Sequence, residues 1–488
     1  MNPVISDTKI SMMMDFYSSA AAAHAFDGGV PDERIVWFDL SFRKDLRLGG
    51  FCITAGLEQF AEAIRSLSFD EEELSYLAAQ GCPAAFTDYL RSLHFSCDIW
   101  AVPEGTPVFP NEPVVKVRGP AIQALLIETV LMQTMNYQSL IATKASRIVR
   151  AAQGRRVVEF GARRAQGASA AVWGARAAYI GGCAGTTCAK AAMMLGIPRY
   201  GSMTHNFVEL FDSEYDAFKA YAKAFPDRCV LLIDTFGALD SGLPNAIRVF
   251  DEVLAPLGKR PVGVRIDSGD LAYLSKRVRR ILNEAGYPDC DVIASNALDE
   301  HIIGEMIRNG ARVDTFMVGE KLITGGDVSY FPGVYKLVAR EKDGEAEPIL
   351  QLSENVSKIV TPAPKLLWRL YDMETGKAVA DLLTTEDEDV SRKKEYRLFD
   401  PDYTWKKKTV TNFVARQLLT PLFSGGECVY PFPALPEIRS YCAQQTDALW
   451  EEVLRFEYPH NYYVDLSQKL WDIKNGLIEK LRSDAAAQ

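Results

Sequence analysis

Histidine is scarce in this chain, five in 488 residues, and one of them, His205, stands in a loop of small and polar side chains: Gly201, Ser202, Thr204 and Asn206. An imidazole in such company can act as nucleophile or proton carrier if a carboxylate holds its other nitrogen. Asp234, at the end of the apolar run LLID, is the candidate for that carboxylate. The string RIDSGD adds a cation and two carboxylates. Asp267 and Asp270 suit a hydroxylated sugar or Mg²⁺, an ion that prefers oxygen ligands. Arg265 suits bidentate pairing with an anion. Asp270 reads equally well as a helix N-cap with Arg265 as its partner, and the two readings are compatible. In GARRAQG, Arg163 and Arg164 are a pair of planar donors matched to carboxylate or phosphate. The glycine-rich GGCAGTT precedes the helical CAKAAMMLG and offers backbone amides at a helix N-terminus, a further anion site.

Apart from the glycine-rich loop, these residues fall where a strand-like run stops. EFGARRAQG, RYGSMTHNF, LLIDTFGALDSG, GVRIDSGD, VIASNALDE and FMVGEK break at Gly161, Gly201, Asp234, Asp267, Asn296 and Gly319, at intervals of 23 to 40 residues. Each interval holds an amphipathic stretch of helical period, the rhythm of consecutive β/α units. In a parallel barrel the carboxyl ends of the strands open on one face, so clusters far apart in sequence meet in one pocket. The fold class expected is α/β, an irregular (β/α) TIM-like barrel with an α+β domain built from both ends of the chain. The expected division is 1–125 as an N-terminal α+β domain and 126–338 as the catalytic barrel. Residues 339–488 form a C-terminal segment of β-hairpins and helices packing on both.

The net charge of −10 argues against nucleic acid as a partner, so an anionic substrate needs a local cationic site. No uncharged run approaches the length of a spanning helix and the N-terminus lacks a basic region followed by an apolar one, so no membrane-spanning helix is expected and a cytoplasmic protein is the simplest reading. The nine cysteines are scattered without a CxxC pair, so neither a fixed metal site nor a disulfide framework is expected. The basic run SRKKEYRLFDPDYTWKKK is read as the solvated face of a hairpin.

Taken in order, MDFY, PEGTPVFPNEP, SLIATKASR, EFGARRAQG, GSMTHNFVELF, AFPDRCVLLIDTF, GVRIDSGDL, SNALDE and GVYKLV resemble the nicotinate phosphoribosyltransferases, a type II phosphoribosyltransferase family, over most of the chain. The resemblance implies the synthesis of nicotinate mononucleotide and pyrophosphate from nicotinate and 5-phosphoribosyl 1-pyrophosphate, coupled to ATP through a phosphohistidine and assisted by Mg²⁺. His205 is then the phosphorylated residue, with Asp234 and Asp267 as the other catalytic groups. Arg265 and Ser202 lie at the nicotinate site, and Phe160 and Tyr17 stack on the pyridine, Tyr17 from the second subunit of a homodimer with shared active sites. Arg163, Arg164, Ser295, Asn296, Gly319 and Glu320 complete the substrate-binding set. Glu320 stands where many relatives have a threonine on the sugar phosphate, which passes that contact to Lys321 or the Gly319 amide. Thr187 stands where nicotinamide-using relatives carry an aspartate. The alternatives are a nicotinamide phosphoribosyltransferase and a catalytically silent, metabolite-binding relative.

Overall fold

Strand runs of two to four residues between Arg156 and Val318 assemble into one six-stranded sheet in the computed structural model, which describes residues 10–18, 22–23, 34–353 and 358–487. The chain divides into two compact units, one of Met1–Leu140 with Tyr330–Gln488 and one of Ile141–Ser329.

The second unit holds this sheet, in the order Gly185–Thr186, Arg156–Glu159, Thr315–Val318, Asp291–Ala294, Gly263–Ile266, Val230–Leu232. Every adjacent pair is parallel. Read as a ring, this is sequence order broken at one place, between Thr186 and Val230. The Gly201 segment belongs in that gap, and it is not the strand its apolar run suggested. It contributes an isolated bridge between Thr186 and Arg199. Pro198 explains this, because proline has no amide to donate to a ladder; its carbonyl accepts from Thr186 N at 3.0 Å, and Tyr200 N returns to Thr186 O at 2.9 Å. The strand that does form there is Gly185–Thr186, inside the stretch read as a glycine loop.

Side chains alternate across the sheet. Val158, Val230, Ile293 and Met317 pack together on the inner face, with Phe160 against them. Val264 and Ile266 go to the other face, into the core with Phe218, Leu243, Phe250 and Val278 from the surrounding helices. Arg265, between them in the same strand, therefore points inward. Asp270 caps the helix Leu271–Glu284 by accepting from Tyr273 N, and Gly269, at φ 77°, makes the turn that leads to it. Gly161 is required by space: a Cβ there would lie 2.6 Å from Ile323 Cβ and 2.8 Å from Gly319 O.

The first unit is built on a seven-stranded antiparallel sheet, ordered Glu345–Pro348, Gly333–Lys342, Ile35–Phe42, Val115–Pro120, Asp98–Ala101, Thr420–Ser424, Glu427–Cys428. A four-stranded sheet carries a buried ion pair on facing residues, Arg369 donating to both oxygens of Asp381 at 2.8 and 2.6 Å. The basic run near residue 400 is a hairpin, Glu395–Phe399 against Lys407–Thr411. The helices expected in FDEEELSYLAAQG and at the C-terminus form as Glu71–Ala79, Leu435–Asp447 and Gln468–Ala487. Asp70 and Glu73 close a capping box on the first of these. Among the described residues no helix is long and apolar enough to cross a membrane.

Candidate active site

The carboxyl ends of the sheet strands bring most of the expected residues of this unit together. Arg265 is 4% exposed. Its Nη1 donates to Ser202 Oγ at 2.9 Å and to Met203 O at 3.3 Å, which pins the Gly201 segment across the gap in the ring. Its nearest carboxylate, Asp267, stays 3.8 Å from Nη2, and its Nε has no hydrogen-bond partner among the described residues. The Phe160 ring has the Arg265 guanidinium 5.3 Å and the Arg163 guanidinium 5.4 Å from its centroid, within cation–π range. Burial pushes the Arg265 pKa down, Asp267 and Asp234 pull it up, and Arg163 pushes it down further. A desolvated cation whose carboxylate neighbour stands 3.8 Å off, outside hydrogen-bond distance, is the local cationic site that an acidic chain needs for an anionic ligand.

His205 opens the helix His205–Glu209, whose N-cap is Thr204. Its Nδ1 is 3.2 Å from Thr235 Oγ1 and its Nε2 is 3.7 Å from Asp267 Oδ2. Asp234 was expected to hold the imidazole, and it does not. Its Oδ2 accepts from Asp267 N at 2.8 Å and from Ser268 Oγ at 2.6 Å, so Asp234 holds the RIDSGD turn while the next residue, Thr235, reaches the histidine. Asp234 Oδ1 is buried without a hydrogen-bond partner among the described residues. Asp267 Oδ1 accepts from Ser295 Oγ, a fully buried hydroxyl. Asn296 follows in an exposed loop with φ 99°, a sparsely populated conformation for a residue with a side chain.

Gly319 precedes the short helix Glu320–Ile323, and Glu320 Oε2 lies 3.9 Å from Arg164 Nε. The carboxylate that seemed out of place beside a phosphate thus faces an arginine. Lys321 lies 3.8 Å from Asp327. Tyr17 belongs to the first unit and is 67% exposed.

Most of the amides expected to make an anion site in GGCAGTT are spent inside the fold. Ala184 N goes to Val157 O, Thr186 N to Pro198 O, Thr187 N to Glu159 O and Cys188 N to Thr186 Oγ1. The residue that sequence reasoning missed is Glu159. It is fully buried, and its side chain accepts from Gly161 N and from Thr186 Oγ1. Burial raises its pKa, and these two donors oppose the rise. Among the described residues no three His, Cys, Asp or Glu side chains converge as a metal cage. Asp234 Oδ1 and Asp267 Oδ2, on neighbouring strand ends, fit the lesser role of two carboxylates toward a magnesium carried by phosphates.

A curled parallel sheet with its polar side chains at the carboxyl ends defines an α/β-barrel enzyme. Residues 12–136 match the N-terminal domain model of nicotinate phosphoribosyltransferase, and residues 364–474 match the C-terminal domain model. The Bacillus subtilis nicotinate phosphoribosyltransferase is 40% identical over 98% of this chain and 97% of its own. The Dictyostelium discoideum enzyme of that name is 34% identical over 90% of this chain and 83% of its own. The crystal structure of human nicotinic acid phosphoribosyltransferase superposes with a TM-score of 0.83 at 26% identity, covering 96% of this chain and all of that one. A nicotinate-nucleotide pyrophosphorylase from Pyrococcus furiosus shares the fold, with a TM-score of 0.69 at 23% identity over 90% of this chain and 96% of that one. The chain belongs to the nicotinate phosphoribosyltransferase family, and its fold is of the type II phosphoribosyltransferase kind.

Proposed function

We propose that this enzyme joins nicotinate to 5-phosphoribosyl 1-pyrophosphate, giving nicotinate mononucleotide and pyrophosphate, with ATP hydrolysis coupled through phosphorylation of His205. The observation that carries the reading is Arg265: a buried, under-paired guanidinium beside Ser202 and against the face of Phe160. An aromatic carboxylate fits that environment, its ring on Phe160 and its charge on the guanidinium. Nicotinamide brings no charge to the guanidinium and would leave its free nitrogens facing a neutral group, which favours the acid over the amide.

Displacement at the anomeric carbon has an oxocarbenium-like transition state, so the protein's task is to align the ring nitrogen and stabilise the departing pyrophosphate. Arg163 and Arg164 supply positive charge, and Asp267, steadied by Ser295, is set to accept from the ribose hydroxyls. Mg²⁺, when bound through Asp234 and Asp267, supplies neutralisation of the phosphates. His205 keeps one nitrogen on Thr235 and has the other free to accept a phosphoryl group when Asp267 turns to the sugar. The nine cysteines are free thiols, which fits a reducing, cytoplasmic setting. We assign the active form to a homodimer in which Tyr17 serves the partner's site.

The test is a product assay with the sugar pyrophosphate and either nicotinate or nicotinamide, with and without ATP. The expected result is mononucleotide from the acid and label from γ-labelled ATP on the protein. The His205→Ala variant should take up no label yet retain ATP-independent synthesis. Equal use of the amide would refute the role of Arg265, and undiminished labelling of the variant would refute that of His205.

A further inference from the structure

Glu159 is a carboxylate with no solvent contact, on the sheet face opposite Phe160 and Val158, and it touches none of the groups assigned to substrate. Its contacts nonetheless converge on the loops that carry them. Oε1 accepts from Gly161 N, the first amide of the turn that holds Arg163 and Arg164. Oε2 accepts from Thr186 Oγ1 at 2.5 Å. Cys188 N donates to the same Thr186 oxygen at 2.9 Å, which leaves the hydroxyl hydrogen for the carboxylate. Thr187 N, between them, donates to the backbone carbonyl of Glu159 at 3.0 Å. Thr186 in turn is joined through its own backbone to Pro198 and Tyr200, the approach to Ser202.

From this network we propose that Glu159 is a positioning residue for the base site, locking the turn of Phe160 and Arg163 to the loop of Thr187 and so setting both nicotinate affinity and discrimination against the amide. The inference rests on the function proposed above. It follows from acceptor count. Oε1 faces an amide hydrogen and Oε2 a hydroxyl hydrogen, neither with an alternative acceptor in the network, so an isosteric amide that keeps its oxygen on Gly161 N leaves the Thr186 hydroxyl hydrogen without an acceptor.

Two variants test it. Glu159→Gln keeps the shape and removes one acceptor; Thr186→Val keeps the branching and removes the donor. With each, the KM for nicotinate should rise by about tenfold and the acid-to-amide ratio of kcat/KM should fall, since a loosened base site loses orientation. Phosphate labelling of His205, which Glu159 does not touch, should stay within about twofold of the wild type. The double variant should cost less than the sum of the two single ones, as expected for residues that share an interaction. Wild-type nicotinate kinetics in both variants would overturn the proposal. So would a fall in His205 labelling and in thermal midpoint that runs parallel to the rise in the nicotinate KM, which marks a purely structural residue. If the wild type itself makes no mononucleotide, the functional reading fails and not the network.

Discussion

Arg265 is held as few surface arginines are, with one nitrogen fixed by Ser202 and Met203 and the rest of the fork short of a counter-ion. Arg265→Lys keeps the charge and loses the planar fork. Transition-state stabilisation with nicotinate should drop by about 2 to 4 kcal/mol, read as kcat/KM, while the fold survives by circular dichroism. Unchanged kinetics would move the substrate carboxylate to Arg163 or Arg164. Arg265, Ser202 and Phe160 were legible in the sequence because their strings carry the family resemblance and their types declare the chemistry. Glu159 was not legible. One carboxylate at the end of RVVEF carries no spacing signal of its own, and only the neighbouring Gly185–Thr186 strand, hidden in glycines, shows that it is buried. The partner of His205 was misassigned by one residue. Strand alternation decides between Asp234 and Thr235, and the stop point of a three-residue strand cannot be read from sequence to that precision.

At the scale of elements, the β/α rhythm was readable wherever an apolar strand met a capped helix, as at RIDSGD. It misled at Gly201, where the apolar run before the loop carries a proline and the ring of strands stays open. Through the opening Ser202 reaches Arg265 and His205 approaches Asp267 on an irregular connection instead of a ladder. Outside the site, helix placement depends on an ion cluster. Glu300, 2% exposed at the start of the helix Glu300–Arg308, meets Lys144 and Arg147 of the long helix Glu128–Ala151 at 2.7 Å each, with His301 Nε2 at 3.9 Å. Burial raises its pKa, but Lys144 and Arg147 outweigh this and bring it from 4.5 to about 2. A depressed carboxylate stabilises the fold above its unfolded pKa and loses that contribution as pH falls through the folded value. Glu300→Gln should therefore be less stable than the wild type near neutrality by roughly 3 kcal/mol. In urea titrations the gap should close between pH 4.5 and about 2. A gap that persists unchanged to the acid end would show that packing, and not the ion pairs, is what the variant lost.

For the whole molecule the open question is how the first unit serves catalysis. Tyr17 is an aromatic side chain left 67% exposed, on a segment that packs Met12 and Met14 against the small core of Phe69, Leu74 and Phe86. An exposed ring on an anchored segment is suited to covering a ligand of another copy, as the family resemblance implies, and a two-fold assembly would then hold two shared sites. Tyr17→Ala and Arg265→Ala should each be inactive as pure proteins. Mixed under conditions that allow subunit exchange, verified by co-purification of differently tagged chains, they should recover activity. In a mixed dimer one site joins the intact tyrosine of one chain to the intact arginine of the other, and its companion carries both lesions. With random exchange about half of the dimers are mixed and each has one working site, so recovery should approach about a quarter of the wild-type rate per site. Mixed dimers that form and stay inactive would mean that Tyr17 acts within its own chain or not on the base at all.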